Sequence, residues 1–286
     1  MGTGLIGASI GLALRHSEPA AEVIGWDRSL KHSAEARRIG ALTSVARSLE
    51  AAARSAQVII LATPLQAVID LIPRVVASAS SGTLILDVAS VKAPVMAAAR
   101  RALLTRPQVG FVGGHPMAGR ELGGPQAALP HLFRSRTFVL CEMRLRSRGA
   151  RTQSSAAMRE ARAFVRSLGA LPLPMDPREH DRIVALTSAL PQLCAVGLAL
   201  AVEQDVPEGA RRVAGSGFGS TARLAVSPLS VWLGPLMLNA RNVGRALDVF
   251  QRQMRLLSHA VTRQDNRALG RHFARAARAK RRFTPG

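Results

Sequence analysis

Cysteine is nearly absent from this chain. Cys141 and Cys194 stand far apart, with no CxxC spacing. That excludes a disulfide framework and a zinc site, so no metal is expected, and it points to a reducing cytoplasm. Aromatic residues make up only 3%, and no nucleic-acid-binding motif accompanies them. Lysine is confined to Lys31, Lys92 and Lys280. Acid is scarce as well: 18 Asp and Glu face 39 Lys and Arg, a formal charge of +21. The excess is almost all arginine, dispersed along the chain, and reads as solvated faces rather than a nucleic-acid surface. No apolar run is read as long enough to span a membrane. No charged region precedes the first apolar stretch, so a signal peptide is not indicated. Internal repeats and low-complexity segments are absent too.

What is present is apolar. Of 286 residues, 48% are hydrophobic, enough for one large or two medium domains with real cores. The chain is organised around Gly113-Gly114-His115-Pro116-Met117-Ala118-Gly119-Arg120-Glu121. The apolar run Val109 to Val112 leads into it and reads as a buried parallel strand ending in a Gly-rich turn. His115 is thereby placed at a strand's C-terminal edge, where open α/β sheets bind ligands. A neutral imidazole there can take a proton from a bound hydroxyl.

At the start, Gly2-Thr3-Gly4-Leu5-Ile6-Gly7 matches G-x-G-x-x-G and opens a helix. Such a turn brings backbone amides close to a pyrophosphate. Val23-Ile24-Gly25-Trp26-Asp27 follows as a strand ending in an acid about twenty positions after Gly7, the spacing of a carboxylate on the adenosine ribose. Asp27 favours NAD, because a carboxylate repels a 2′-phosphate; Arg28 leaves NADP open. A dinucleotide fold needs a strand before its Gly-rich turn, and here the sequence starts on the turn. The expectation is that the natural start lies upstream or that the chain is truncated, and that as written it is less stable and binds nucleotide poorly.

Further strands are expected at Val58 to Thr63, Leu84 to Lys92 and Thr137 to Cys141, alternating with helices such as Pro64 to Ala77. That alternation is the signature of a doubly wound parallel sheet. Thr63, Ser90 and His115 would share its C-terminal edge. The chain turns polar around Arg144 to Ser155, which sets the boundary between a dinucleotide-binding domain (residues 1–150) and a second domain (151–286). Ala156 to Leu168 (helix) and Leu171 to Pro174 (strand) could still belong to the sheet's edge. From Arg178 onward strand signals vanish. Helices are expected at Ile183 to Val202, Val231 to Leu257 and Asp265 to Arg282, the last amphipathic and basic. Pro191 should kink the first of these. His180-Asp181 reads as a helix-start and packing feature. Arg223, after the glycine-rich break at Gly215 to Gly219, could clamp a carboxylate, although so Arg-rich a chain weakens that reading.

The order of these motifs resembles the prephenate/arogenate dehydrogenase family. The resemblance rests on GxGLIG, the Asp after the second strand, D-x-x-S-V-K at Asp87 to Lys92, GGHPMAGxE, H-D at residues 180 and 181, S-x-L-P at Ser188 to Pro191, and F-x-x-x-x-R-x-A at Phe218 to Ala225. It spans nearly the whole chain. It implies a Rossmann-type domain, its first strand missing here, joined to an all-helical dimerisation domain. It also implies NAD(P)-dependent oxidative decarboxylation in tyrosine biosynthesis. Hydride would leave ring C4 for the nicotinamide, with loss of CO2. Within the resemblance, His115 matches the histidine on the substrate ring hydroxyl, and Ser90 a serine beside it and the nicotinamide. Glu121 matches an acid at the pocket mouth, Arg223 the carboxylate-binding arginine, and Trp232 lies near a pocket tryptophan. Cofactor contacts are expected from Gly2, Gly4, Leu5, Ile6, Gly7, Asp27, Arg28, Thr63 and Pro64.

The departure is at Ser188 to Gln192, where the family pattern is S-H-L-P-H. Ala189 and Gln192 replace the two histidines. Ser188 and Gln192 remain substrate-binding candidates, and neutral Gln192 leans toward arogenate or an amino analogue. Two alternatives stay open. One is a Rossmann-plus-helical dehydrogenase acting on a β-hydroxy acid, though its usual helical-domain lysine has no convincing candidate. The other is a catalytically idle nucleotide-binding protein. The expected partners are a small anionic substrate and a second copy of the chain, with neither membrane nor nucleic acid.

Overall fold

The computed structural model describes residues 1–120, 122–143 and 148–283. Its centre is a five-stranded sheet in the order β3 (Val58–Leu61), β4 (Leu84–Asp87), β5 (Gly110–Pro116), β6 (Thr137–Glu142) and β7 (Leu171–Pro174). β3, β4 and β5 are parallel, so their C-terminal ends share one edge. Alternate residues feed opposite layers, as strand pleating requires. Ile59, Leu61, Ile85 and Phe111 pack with α3 (Leu49–Ser55), α4 (Leu65–Ser78) and α5 (Ala93–Ala102). Leu84, Leu86 and Val112 pack with α1 (Leu5–Ser17) and α6 (Arg148–Ser167). Covering both faces is what lets β4 be fully buried.

The sheet is not parallel throughout: β6 runs antiparallel to β5, and β7 is parallel to β6. A parallel pair needs a crossover, normally helical. Between β5 and β6 the described residues offer only a short 3-10 turn, Pro125–Ala127, so the chain turns straight back. A second correction concerns Gly113 and Gly114. They are not a turn after the strand but part of it, since β5 continues through His115 to Pro116. Residues after 150 stay with the sheet at first: α6 lies against it and β7 pairs with β6.

β1 (Ile24–Gly25) and β2 (Ser44–Val45) form a separate parallel pair. Among the described residues, Met1 and Gly2 bridge this pair to β3. The Met1 ammonium donates to the Ile60 carbonyl (2.8 Å), Ala62 N–H donates to the Met1 carbonyl (2.8 Å), and Gly2 N–H donates to the Trp26 carbonyl (2.9 Å). Beside this single rung lies a groove of about 520 Å³, lined among others by Ile10, Leu14, Ile24, Val58, Ile60 and Phe164. Burial pushes the Met1 ammonium down to about 6.

The C-terminal half is helical. α7 (Pro177–Val184), a π-turn (Ala185–Ala189) and α8 (Leu190–Asp205) run on as one helical stretch. The π-turn ends two residues before Pro191, whose missing N–H breaks the ordinary ladder. An 18-residue window of this stretch, mean hydropathy 1.9, is long and apolar enough to cross a bilayer by length and composition alone, contrary to the expectation that no run would be long enough; polar residues at its N-terminal end obscure it in the sequence. α9 (Ser216–Thr221) and α10 (Leu229–Leu238) follow, then α11 (Ala240–Thr262) and α12 (Asn266–Phe283). The single helix expected from Val231 to Leu257 is broken at Asn239. Its side chain leaves the helix to donate to the Asp181 carbonyl (2.8 Å) and accept from Asn242 (2.8 Å).

Candidate active site

The Gly-rich turn comes first. A Cβ on Gly7 would sit 1.9 Å from the Gly2 carbonyl, so only glycine lets the helix start pack on the turn. Beside Gly4 the space is open, and Gly4 caps α1 with no side chain. The first ladder bond of α1 is from Ala8 N–H to the Gly4 carbonyl, leaving the amides of Leu5, Ile6 and Gly7 free of that ladder and facing an anion's position. Asp27 accepts from Thr3 N–H (2.7 Å), the Thr3 hydroxyl (3.2 Å) and Ser29 N–H (2.8 Å). It thus ties the end of β1 to the turn. Arg28 and Pro64 are exposed beside them. At the end of β3 the Thr63 hydroxyl is buried without a partner. Free first-turn amides, an open glycine and an orphaned hydroxyl are the features a dinucleotide would satisfy, so these residues fit NAD.

The second cluster lies at the C-terminal ends of β4 and β5. Asp87 and Lys92 are both fully buried and form an ion pair. Lys92 Nζ also donates to the Gly114 carbonyl. Asp87 accepts from Ala89 N–H (2.9 Å) and Gly114 N–H (3.2 Å). A Cβ on Gly114 would lie 2.3 Å from the Asp87 carbonyl oxygen, which explains the glycine. The pair therefore clamps both sides of the residue preceding His115.

His115 reaches across to the helical half. Its Nδ1 lies 2.8 Å from Nε2 of His180, and Nδ1 of His180 lies 2.8 Å from Oδ1 of Asp181. Asp181 also accepts the amides of Lys92 (2.7 Å) and Ala93 (2.8 Å) at the start of α5. His180 and Asp181 are 1% and 2% exposed. His180-Asp181 does not open the helix, which starts at Pro177 with Asp176 as its cap; the pair lies one turn in, where α7 meets β5 and α5 and both side chains enter the site. Burial, then the neighbouring His180 and Lys92, holds His115 well below its ordinary value of 6.5. It is neutral at physiological pH. Ser90 sits half-buried on the loop after β4, at the same edge.

Gln192 is buried, 3% exposed. Its amide Nε2 donates to the Leu224 carbonyl (2.9 Å), while its Oε1 has no partner. That bond pins the short turn Arg223–Val226, on which Arg223 is exposed. Trp232 packs with Ala185, Ala189 and Val243, and Ser188 is exposed on the π-turn. Glu121 lies outside the described residues. Reading the sequence for sites missed Asp87, Lys92 and Asn239. The first two were visible only as the ends of D-x-x-S-V-K; Asn239 carried no signal.

Two family models account for most of the chain. Residues 10–162 match the prephenate dehydrogenase nucleotide-binding domain and residues 176–275 the prephenate dehydrogenase dimerization domain. Prephenate dehydrogenase of Bacillus subtilis is 29% identical over 278 residues, covering 96% of this chain and 72% of that protein. Cyclohexadienyl dehydrogenase of Zymomonas mobilis is 27% identical, covering 98% and 93%. Among solved structures, Synechocystis arogenate dehydrogenase superposes with a TM-score of 0.82 at 24% identity, covering 99% of this chain and 98% of that one. Prephenate dehydrogenase from Aquifex aeolicus, in complex with hydroxyphenyl propionate and NAD+, gives 0.87 at 21%, covering 98% and 95%. With both of its halves matched in order, this chain belongs to the prephenate dehydrogenase family.

Proposed function

We propose that the protein oxidatively decarboxylates a cyclohexadienol, prephenate or arogenate, with NAD, and that arogenate is the preferred substrate. The observation that carries the reaction class is His115: a half-buried imidazole held neutral at the same sheet edge as the Gly-rich cradle. When bound, the nicotinamide accepts hydride from ring C4. His115 takes the ring hydroxyl proton, Ser90 lies beside the same oxygen, and Arg223 holds a carboxylate. The oxidised ring then loses CO2, and aromatisation makes the step effectively irreversible. Asp27 holds the adenosine ribose and Thr63 lines the nicotinamide end. Glu121, Ser188 and Trp232 complete the pocket wall in this reading.

The substrate preference rests on Gln192. With Nε2 committed to Leu224, the unpartnered Oε1 is an acceptor and nothing else. An ammonium on the substrate side chain supplies the donor it lacks; a pyruvyl ketone supplies only another acceptor. A hydrogen bond to a charged group is worth about 1.5–3 kcal/mol. Formation of reduced nicotinamide should therefore show kcat/KM for arogenate about 10- to 10²-fold above that for prephenate. Gln192→His should narrow the gap. Equal rates on both substrates, or a preference for prephenate, would overturn the assignment, and no turnover of either would overturn the function itself.

The dimerization-domain match and the exposed Leu200, Leu233, Met237 and Leu256 support a homodimer through the helical half. Both described cysteines are free. Burial pushes the Cys141 thiol up to about 12, so it stays unreactive. Free thiols of this kind support action in the cytoplasm.

A further inference from the structure

Two hydrogen bonds in series lead from the reacting edge into the helical half, and the anchoring of their far end fixes the direction of both. Asp181 accepts two backbone amides at the start of α5, one on each oxygen, which commits its carboxylate to accepting. The ring nitrogen against it, Nδ1 of His180, must then be the donor. In a neutral imidazole the other nitrogen carries a lone pair, so Nε2 of His180 accepts. Its neighbour, Nδ1 of His115, therefore donates. That leaves Nε2 of His115 as a lone pair and the only end of the ring outside the chain of bonds. Asn239 anchors the backbone of Asp181 from the α10–α11 junction, which keeps the series in register.

We propose that His180 and Asp181 are a positioning and proton-receiving pair, setting His115 as the Nε2 base and drawing the substrate proton one ring further inward. The inference rests on the reading of His115 as the base in the proposed function. As the hydride departs to the nicotinamide, the substrate O–H bond breaks and an N–H bond forms at Nε2 of His115. The proton already on Nδ1 of His115 passes to Nε2 of His180. Positive charge then rests on His180 against the Asp181 carboxylate, not on His115 beside Lys92. The groups acting on His115 are consistent with this direction: His180, backed by Asp181, comes from α7, and Lys92, paired with Asp87, lies on the β4 side.

Two measurements test it. The first needs neither substrate nor turnover, so its failure is distinct from failure of the proposed function. In 15N-histidine-labelled full-length protein, with His115 assigned by comparison with His115→Asn, the His115 ring should show its proton on Nδ1. A proton on Nε2 would overturn the proposal. The second is His180→Gln, whose side chain can still accept from His115 but cannot carry a proton away. Its kcat should fall about 10²-fold, with KM and NAD affinity unchanged. The acid limb of kcat/KM should move up toward the ordinary histidine range, because a neighbouring imidazole no longer opposes protonation. A folded His180→Gln enzyme with full kcat and an unmoved limb would reduce the pair to packing. Should that variant not fold, the tautomer decides.

Discussion

Replacing His115 with Asn is expected to lower kcat by about 10²–10⁴ while KM and NAD affinity stay close to those of the parent. Asn keeps a hydrogen-bonding group at the end of β5 but cannot accept a proton. The ring hydroxyl would have to release its proton to water as hydride leaves, which removes the assistance and leaves the binding. The same site predicts the pH behaviour. Because the folded ring is held below 6.5 by burial, His180 and Lys92, kcat/KM should stay flat from neutral pH down through 6.5 and fall only below it. Stability follows the opposite accounting. Below 6.5 the unfolded chain takes up a proton that the folded ring refuses. This contribution to stability is therefore full above 6.5 and is lost progressively as pH drops toward the folded value. Near-normal kcat in His115→Asn would remove His115 from the chemistry, and an acid limb at or above 6.5 would contradict its neutral state.

The second large effect is expected from Lys92→Met. Lys92 and Asp87 are both excluded from solvent. Methionine matches much of the lysine's length but leaves the Asp87 carboxylate buried with only the amides of Ala89 and Gly114. Breaking one side of a buried pair costs about 3–5 kcal/mol. At roughly 2–4 °C per kcal/mol for a chain of this class, Tm should fall on the order of 10 °C. Removing both charges, with Lys92→Met and Asp87→Leu together, should recover much of that loss, since an apolar pair of similar volume needs no compensation. The rate should not recover with it. Lys92 also holds the Gly114 carbonyl, and without that bond the residue before His115 is no longer fixed. A Lys92→Met protein that melts with the parent would show that the pair is dispensable to the fold.

Much of this protein could be read before any coordinates. The glycine spacing at residues 2–7 and the acid at Asp27 marked the candidate nucleotide end, because a tight turn and a ribose carboxylate are local demands set by spacing along the chain. His115 was legible for a related reason: an apolar strand running into glycines delivers its next polar residue to the sheet edge. Alternation of apolar runs with helical periods was enough for the α/β half, and loss of strand signals marked the helical one. Other features are contacts between distant segments, and no local pattern encodes them. The pairing of His115 with His180 joins the ends of β5 and α7, and only packing of the helical half on the sheet makes it. Lys92 read as the polar end of a strand, and only the enclosure by β4 and β5 showed it buried with Asp87. The antiparallel turn into β6 depended on what the intervening segment failed to form, namely a crossover helix. Gln192 showed as a departure from a pattern, but which of its amide atoms was free came only from the carbonyl of Leu224 lying within reach.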